Sequence, residues 1–285
     1  MARVADSGMP VRINAPPAGG GLGWRAFCQH VQELWQYRAL LGALVVRELK
    51  ARYRNSVLGY LWTLLNPLLL LAVYSLVFSV YMRVEVEHYV IYLFSGLLGW
   101  NWLASSLNAG TSSIARGGGA LITKALLPPQ LLPTVQTLTN LVNLVLSLPV
   151  LLGAAVLLGR WPGLSLVLLP VLLLAELLLV QGLVVALAAL CVRFRDVEFL
   201  VPNFLTFWFF LTPILYPLAV IPETLRPLVL LNPMAPVALG YQELFYWGRW
   251  PEPLHLVLAL GLGAGVFYLG TGLFERLRDT LAEEI

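Results

Sequence analysis

Long apolar stretches separated by short charged ones make up most of this chain, and nowhere do apolar and polar residues alternate one by one. The apolar stretches lie near Val57–Met82, Val90–Thr111, Thr134–Leu158, Leu164–Val192, Leu200–Tyr216 and Leu254–Phe274. An α-helix needs about 20 residues to cross the hydrocarbon of a bilayer. Only helices and closed barrels satisfy their backbone groups there, and the absence of a two-residue period selects helices. The pattern predicts an all-α integral membrane protein with six transmembrane helices. The fifth stretch is short, with Pro202 and Pro213 placed to bend it.

Ahead of the first stretch, Leu34, Tyr37, Leu41, Leu44, Val45, Leu49 and Tyr53 recur at helical spacing, while Gln36, Glu48, Lys50 and Arg54 fall largely on other faces. The uncharged part of this segment is too short to cross. Residues 34–54 are therefore predicted to form an amphipathic interface helix along the membrane surface. The first 23 residues are rich in Gly, Pro and Ala and lack the apolar core of a signal peptide. Residues 1–33 are expected to be a disordered cytoplasmic tail, residues 55–275 the membrane domain and residues 276–285 a cytoplasmic tail.

Composition supports lipid as the solvent. The chain is 59% hydrophobic and 12% charged, with a mean hydropathy of +0.80, whereas a soluble domain carries about 25% charged residues. Cys28 and Cys191 lack partner spacing, and His30, His88 and His255 are scattered, so neither a disulfide framework nor a metal site is predicted. Orientation follows from the basic residues. With the amino terminus inside, 14 of the 18 Lys and Arg residues face the cytoplasm and 4 lie outside. Both termini are then cytoplasmic. The cluster Arg47, Lys50, Arg52 and Arg54 lies at the level of anionic headgroups, where it serves either topology or phosphate recognition.

Several polar residues interrupt the apolar spans. Asn101, Ser105, Asn108 and Ser112 step by four, three and four along one face of the second span, and Asn140 and Asn143 share a face of the third. Interhelical hydrogen bonding is the commoner reason for such residues. Glu176 lies well inside the fourth span without a sequence-evident basic partner; an ionisable group at that depth marks function or a special structural role. Phe204, Phe207, Trp208, Phe209, Phe210 and Tyr216 crowd the fifth span. They suit either a membrane interface or a surface on which sugar C–H faces slide. Pro217–Pro253 carries too many prolines and charges for one long helix. Short re-entrant helices on the outer side, with a gate segment at 217–250, are predicted there. Gly261 and Gly265, at GxxxG spacing in the last span, are expected to pack against a neighbouring helix.

Six motifs occur in order: "RYRNSVLGYLWTLLNPL" (Arg52–Leu68), "FSGLLGWNWLASSLNAGTSSI" (Phe94–Ile114), "LITKALLPPQLLP" (Leu121–Pro133), "VRFRDVEFLVP" (Val192–Pro202), "TPILYP" (Thr212–Pro217) and "LNPMAP" (Leu231–Pro236). Together they resemble the membrane subunit of type-2 ABC exporters for polysaccharides, the permeases for O antigen, capsule and teichoic acid. The resemblance covers about Leu34 to the carboxyl terminus. It implies a homodimer with a channel between the copies, bound to a dimer of a separate nucleotide-binding ATPase in a heterotetramer. The location implied is the bacterial inner membrane and the cargo an undecaprenyl-pyrophosphate-linked glycan; nucleic acid has no part.

The coupling segment of the family corresponds to residues 116–127, so Arg116, Leu121, Lys124 and Leu127 are expected to meet the ATPase. Arg47, Lys50, Arg52 and Arg54 are candidates for pyrophosphate or headgroup contact. The channel between first and fifth spans is expected to be lined by Tyr60, Trp62, Asn66, Phe204, Phe207, Trp208 and Tyr216. The chain departs from the family's pattern at Pro129, where a basic residue is common, and at Gln242, where Arg often follows the Tyr.

No G-x-x-x-x-G-K-[ST] phosphate loop occurs in the sequence. No catalytic residue and no cofactor is therefore assigned to this chain, ATP and Mg belonging to the partner subunit. Two other readings stay open: an exporter of a drug or smaller lipid, and a membrane glycosyl- or acyltransferase using Asp196 and Glu198.

Overall fold

The computed structural model describes residues 31–284 apart from 53, 55–57, 60, 82–85, 118–126 and 162. The expected tail is thus largely outside the described residues, as are Tyr60, Leu121 and Lys124. The chain is helical from residue 31, slightly ahead of the boundary expected at 34. Helix α1 covers residues 31–36, α2 Arg38–Arg52, α3 Leu61–Ser75 and α4 Tyr89–Thr111. The short α5 (Ser113–Gly117) follows, then α6 (Leu131–Leu157), α7 (Leu169–Arg193) and α8 (Val197–Leu211). Helices α9 (Arg226–Leu230), α10 (Met234–Phe245) and α11 (Pro253–Glu284) complete the chain, and no strand occurs among the described residues.

Among the described residues, four segments are long and apolar enough to cross a membrane: Tyr89–Arg116, Leu131–Leu157, Gly163–Arg193 and Pro253–Arg278. The first predicted stretch is helical as α3, but it passes into a π-helical turn over Leu76–Tyr81. The fifth is the 15-residue α8, which stops at Leu211, before Pro213 could bend it.

Most hydroxyls inside these helices satisfy themselves by bonding a carbonyl one turn back. Thr111 donates to Leu107, Thr134 to Gln130, Ser147 to Asn143 and Thr271 to Phe267.

Helices α7 and α11 form the tightest contact of the bundle. A Cβ on Gly182 would stand 2.5 Å from Phe267 Cα, and one on Gly263 would stand 2.5 Å from the Ala175 carbonyl oxygen. Gly270 lies against the Gly182 carbonyl. Ala175 and Gly182 on one helix, and Gly263 and Gly270 on the other, are each seven residues apart, so two helical turns of small residues bring the backbones together. The GxxxG expectation falls on the wrong residues. Gly261 and Gly265 have nothing within 4 Å of an added Cβ, because they sit on the opposite side of α11.

Helix α4 occupies the middle of the bundle, 78% buried over its most apolar window. It packs against α3, α6, α7, α8 and α10. The two ends of the bundle differ. One, here the basic end, gathers α2, Arg116, Glu198 and Arg278. The other, the hairpin end, gathers Glu87, Arg160, α9, α10 and the start of α11.

Candidate functional site

At the basic end, α2 lies on α6 through the apolar face predicted for it. Leu41 and Val45 are buried against Leu131 and Val135, with Leu34, Tyr37, Leu44 and Leu49 around them. Arg52 closes this contact by donating to Asn140 Oδ1 at 2.9 Å and Gln136 Oε1 at 3.3 Å. The four basic candidates therefore divide. All four are exposed, but Arg52 is engaged with α6 through neutral amide oxygens. A cavity of 310 Å³ opens between α2, α5 and the start of α6, lined by Arg47, Arg116, Ser112, Ser113, Gln136 and Leu127 among others. Of the coupling candidates, Arg116 and Leu127 thus share one hollow with Arg47.

Arg116 also pairs with Glu198 at 2.8 Å, which joins the lead into the coupling segment to the first turn of α8. That pairing engages one of the two carboxylates a transferase would need. A second ion-pair group ties the start of the interface region to α11. Arg278 lies 3.4 Å from Glu33 and 3.3 Å from Glu275, and Gln130 donates to the other oxygen of Glu33. Glu33, assigned to the tail by sequence, is a structural member of the bundle.

The polar face of α4 does not form the interhelical bonds expected of it. Asn101 and Ser112 are half-buried, and Ser105 and Asn108 are exposed, on a helix that is otherwise buried or half-buried apart from Val90 at its start. Among the described residues none of the four makes a side-chain hydrogen bond. The row begins beside Trp100, which meets Trp208 edge-on at 5.9 Å, and ends at Ser112 in the basic cavity. It is an unpartnered polar track along a membrane helix. Asn140 makes the interhelical bond expected of it, accepting from Arg52 of α2, whereas Asn143 donates only to Asn140 on its own helix at 3.4 Å and its buried Oδ1 has no partner among the described residues.

The rings of α8 split into two sets. Phe204, Phe207 and Phe210 are 60%, 71% and 55% exposed, whereas Trp208 and Phe209 are buried against Trp100. Trp208 is thus withdrawn from the open face on which sequence placed it. Tyr216, beyond the helix, donates to the Phe210 carbonyl at 2.8 Å. On α3, Trp62 is 38% exposed and Leu69 and Val73 more so. The backbone of Asn66 belongs to the same helix. Helices α3 and α8 therefore each present an uncovered apolar face.

At the hairpin end, Asn232 is the knot that sequence reading passed over. Its Oδ1 accepts from Trp208 Nε1 at 2.6 Å and from the Met234 amide at 3.1 Å, while its Nδ2 donates to Thr212 Oγ1 at 3.0 Å. The Asn-Pro pair of "LNPMAP" was the available signal, an Asn side chain at the start of a helix being a backbone-bonding residue. Replacing Asn232 by leucine strands the indole N–H of Trp208 and the backbone N–H of Met234, while Thr212 keeps its bond to the Trp208 carbonyl. At about 1–3 kcal/mol for each stranded group, the purified variant should unfold at a clearly lower temperature than the parent.

Gln242, the departure from the family pattern, donates to the Pro213 carbonyl at 3.0 Å and so also ties α10 to the end of α8. Burial would by itself raise the carboxyl of Glu243, but His255 at 3.1 Å, the Glu252 amide and Arg249 at 3.0 Å together hold it below its usual range. These groups fasten α10 to the start of α11.

With this geometry in hand, comparison with known proteins gives a consistent answer. Residues 39–246 match the ABC-2 type transporter family. The chain is 45% identical over 257 residues to an O-antigen export system permease protein, RfbA, of Myxococcus xanthus, covering 90% of this chain and 98% of that one. It is 31% identical over 246 residues to the protein of the same name from Klebsiella pneumoniae, covering 86% and 94%. The chain belongs to the ABC-2 type transporter family, as a membrane subunit.

Proposed function

We propose that this chain is the permease of an ATP-driven exporter that moves lipid-linked O antigen across the inner membrane. The name and near-complete coverage of its relatives support the cargo class. In this reading the bundle crosses the membrane six times, with α3 and α8 completing the four longer spans. Both termini and the basic end face the cytoplasm, and α9 and α10 form the re-entrant hairpin at the outer side. Two copies meet along the uncovered faces of α3 and α8, and the passage runs between them.

The observation that carries the reading is the polar track of α4. A helix anchored only in lipid has no use for four unbonded polar side chains on one face, whereas a hydroxyl-rich polymer and its water do. The exposed rings of α8 add faces on which pyranose C–H groups pack. At the basic end, Arg47, Lys50 and Arg54 offer charge to the pyrophosphate, and α2 and Arg116 meet the ATPase. Closure of that motor on ATP would move α8 through the Arg116–Glu198 pair, a population shift driven by contacts made in one state only.

Deleting the chain from its host should leave lipid-linked glycan accumulated on the cytoplasmic face, and affinity purification of the chain should bring down an ATPase. Accumulation of no glycan together with loss of drug resistance would replace this reading by the drug-exporter one. Purification without any ATPase would remove transport by this mechanism altogether.

A further inference from the structure

Glu176 is fully buried in α7. Its Oε2 accepts from the Tyr241 hydroxyl at 2.6 Å. Its Oε1 is buried and has no partner, and no ion pair reaches it among the described residues. The neighbourhood is closed by close packing. A Cβ on Gly99 of α4 would stand 2.7 Å from the Tyr241 ring, 3.0 Å from Glu176 Oε1 and 3.1 Å from Met234 Cε. Three elements thus converge on one carboxyl group: a central helix, a long span and the hairpin helix α10. The glycine lets α10 seat deeply enough for its tyrosine to reach the acid.

The next residue on α10 does the opposite job. Gln242 bonds the Pro213 carbonyl just after α8, and Asn232 bonds Thr212 and Trp208 of the same segment. Helix α10 is therefore held from two sides. Its bonds to the α8 side connect it to a helix with one uncovered face, and its Tyr241 bond connects it to the closed interior. A hydrogen bond in a water-free setting has no competitor, so it serves as a fixed point.

We propose that Glu176 is a positioning residue for transport: through Tyr241 it seats the outer hairpin helix α10 in the bundle and keeps the outer mouth of the passage shut at rest. The proposal rests on the reading of α10 as an outer re-entrant helix. What the seat requires of Glu176 is an acceptor oxygen at that position, not a charge, since no cation stands opposite it among the described residues.

The test uses the complete transporter, with its ATPase partner, in proteoliposomes carrying a trapped hydrophilic dye. Tyr241→Phe removes one oxygen, Glu176→Leu removes the acceptor, and Glu176→Gln keeps an oxygen that the phenol can bond. ATP-independent dye leak should rise about tenfold in the first two, the shift expected when one net hydrogen bond is lost, and Glu176→Gln should stay as tight as the parent. Binding of the ATPase partner, read by co-elution, should be unchanged in all three. A tight Tyr241→Phe variant would overturn the proposal, and so would a Glu176→Gln variant that leaks like Glu176→Leu. Should Glu176→Leu fail to assemble, the single-oxygen Tyr241→Phe variant still decides. Glycan export by the parent transporter is measured in parallel; its absence would count against the exporter reading, whereas the leak measurement addresses the seat alone.

Discussion

Gly182→Leu will cost the protein its folded bundle. The side chain has nowhere to go: the position is 2.5 Å from Phe267 Cα and 2.6 Å from the Val266 carbonyl, both backbone atoms of α11. Side-chain neighbours can rotate away from a new group, but backbone cannot without moving the helix. Overpacking a rigid core costs typically about 1–3 kcal/mol, and forcing apart the closest helix pair of the bundle lies at or beyond the upper end. Dispersion contacts along the whole seam are lost with it, and in lipid these are much of what holds helices together. The expected result is aggregated or degraded protein, read by size-exclusion chromatography in detergent. Gly261→Leu and Gly265→Leu are the matched controls. Both positions are open to 4 Å, and both variants should elute as the parent does. Equal damage from Gly261→Leu would show that the seam has been put on the wrong face.

The same contrast shows what a linear pattern can and cannot reveal. Residue spacing identified α11 as a glycine-bearing helix but could not tell which glycines touch, because Gly261, Gly263, Gly265 and Gly270 are all compatible with packing until a neighbour is placed. The apolar face of α2 was legible because amphipathicity encodes one face directly, and Leu41 and Val45 are buried as their spacing implies. The rings of α8 go round the helix, and nothing local marks Trp208 as inward and Phe207 as outward. That choice is made by Trp100 and Asn232, 108 and 24 residues away. Glu176 announced itself by its depth in an apolar run, yet its partner Tyr241 lies 65 residues on and carries no signal of its own. Arg52 read as one of four equivalent charges, and only the position of Asn140 on α6 sets it apart.

The polar track of α4 gives the sharpest separation between stability and transport. Replacing Asn101, Ser105 and Asn108 together by leucine removes no hydrogen bond that the subunit makes within itself, since these side chains bond nothing among the described residues. Placing apolar groups on a membrane helix is favourable, so the unfolding temperature should hold or rise, and the ATPase partner should still co-elute. Transport should collapse. If each residue contributes one hydrogen bond to sugar hydroxyls or their water, at about 1 kcal/mol each, the three compound to about two orders of magnitude in rate. The measurement is glycan export in vesicles beside thermal unfolding of the same preparation. A stable triple variant that exports at the parental rate would mean that the track faces lipid or a silent contact, and the passage would have to be sought elsewhere. A variant that loses both stability and export would assign the track to packing with a second copy. Only the combination of an intact fold and a blocked passage fits a polar surface kept open for a hydrated polymer to move along.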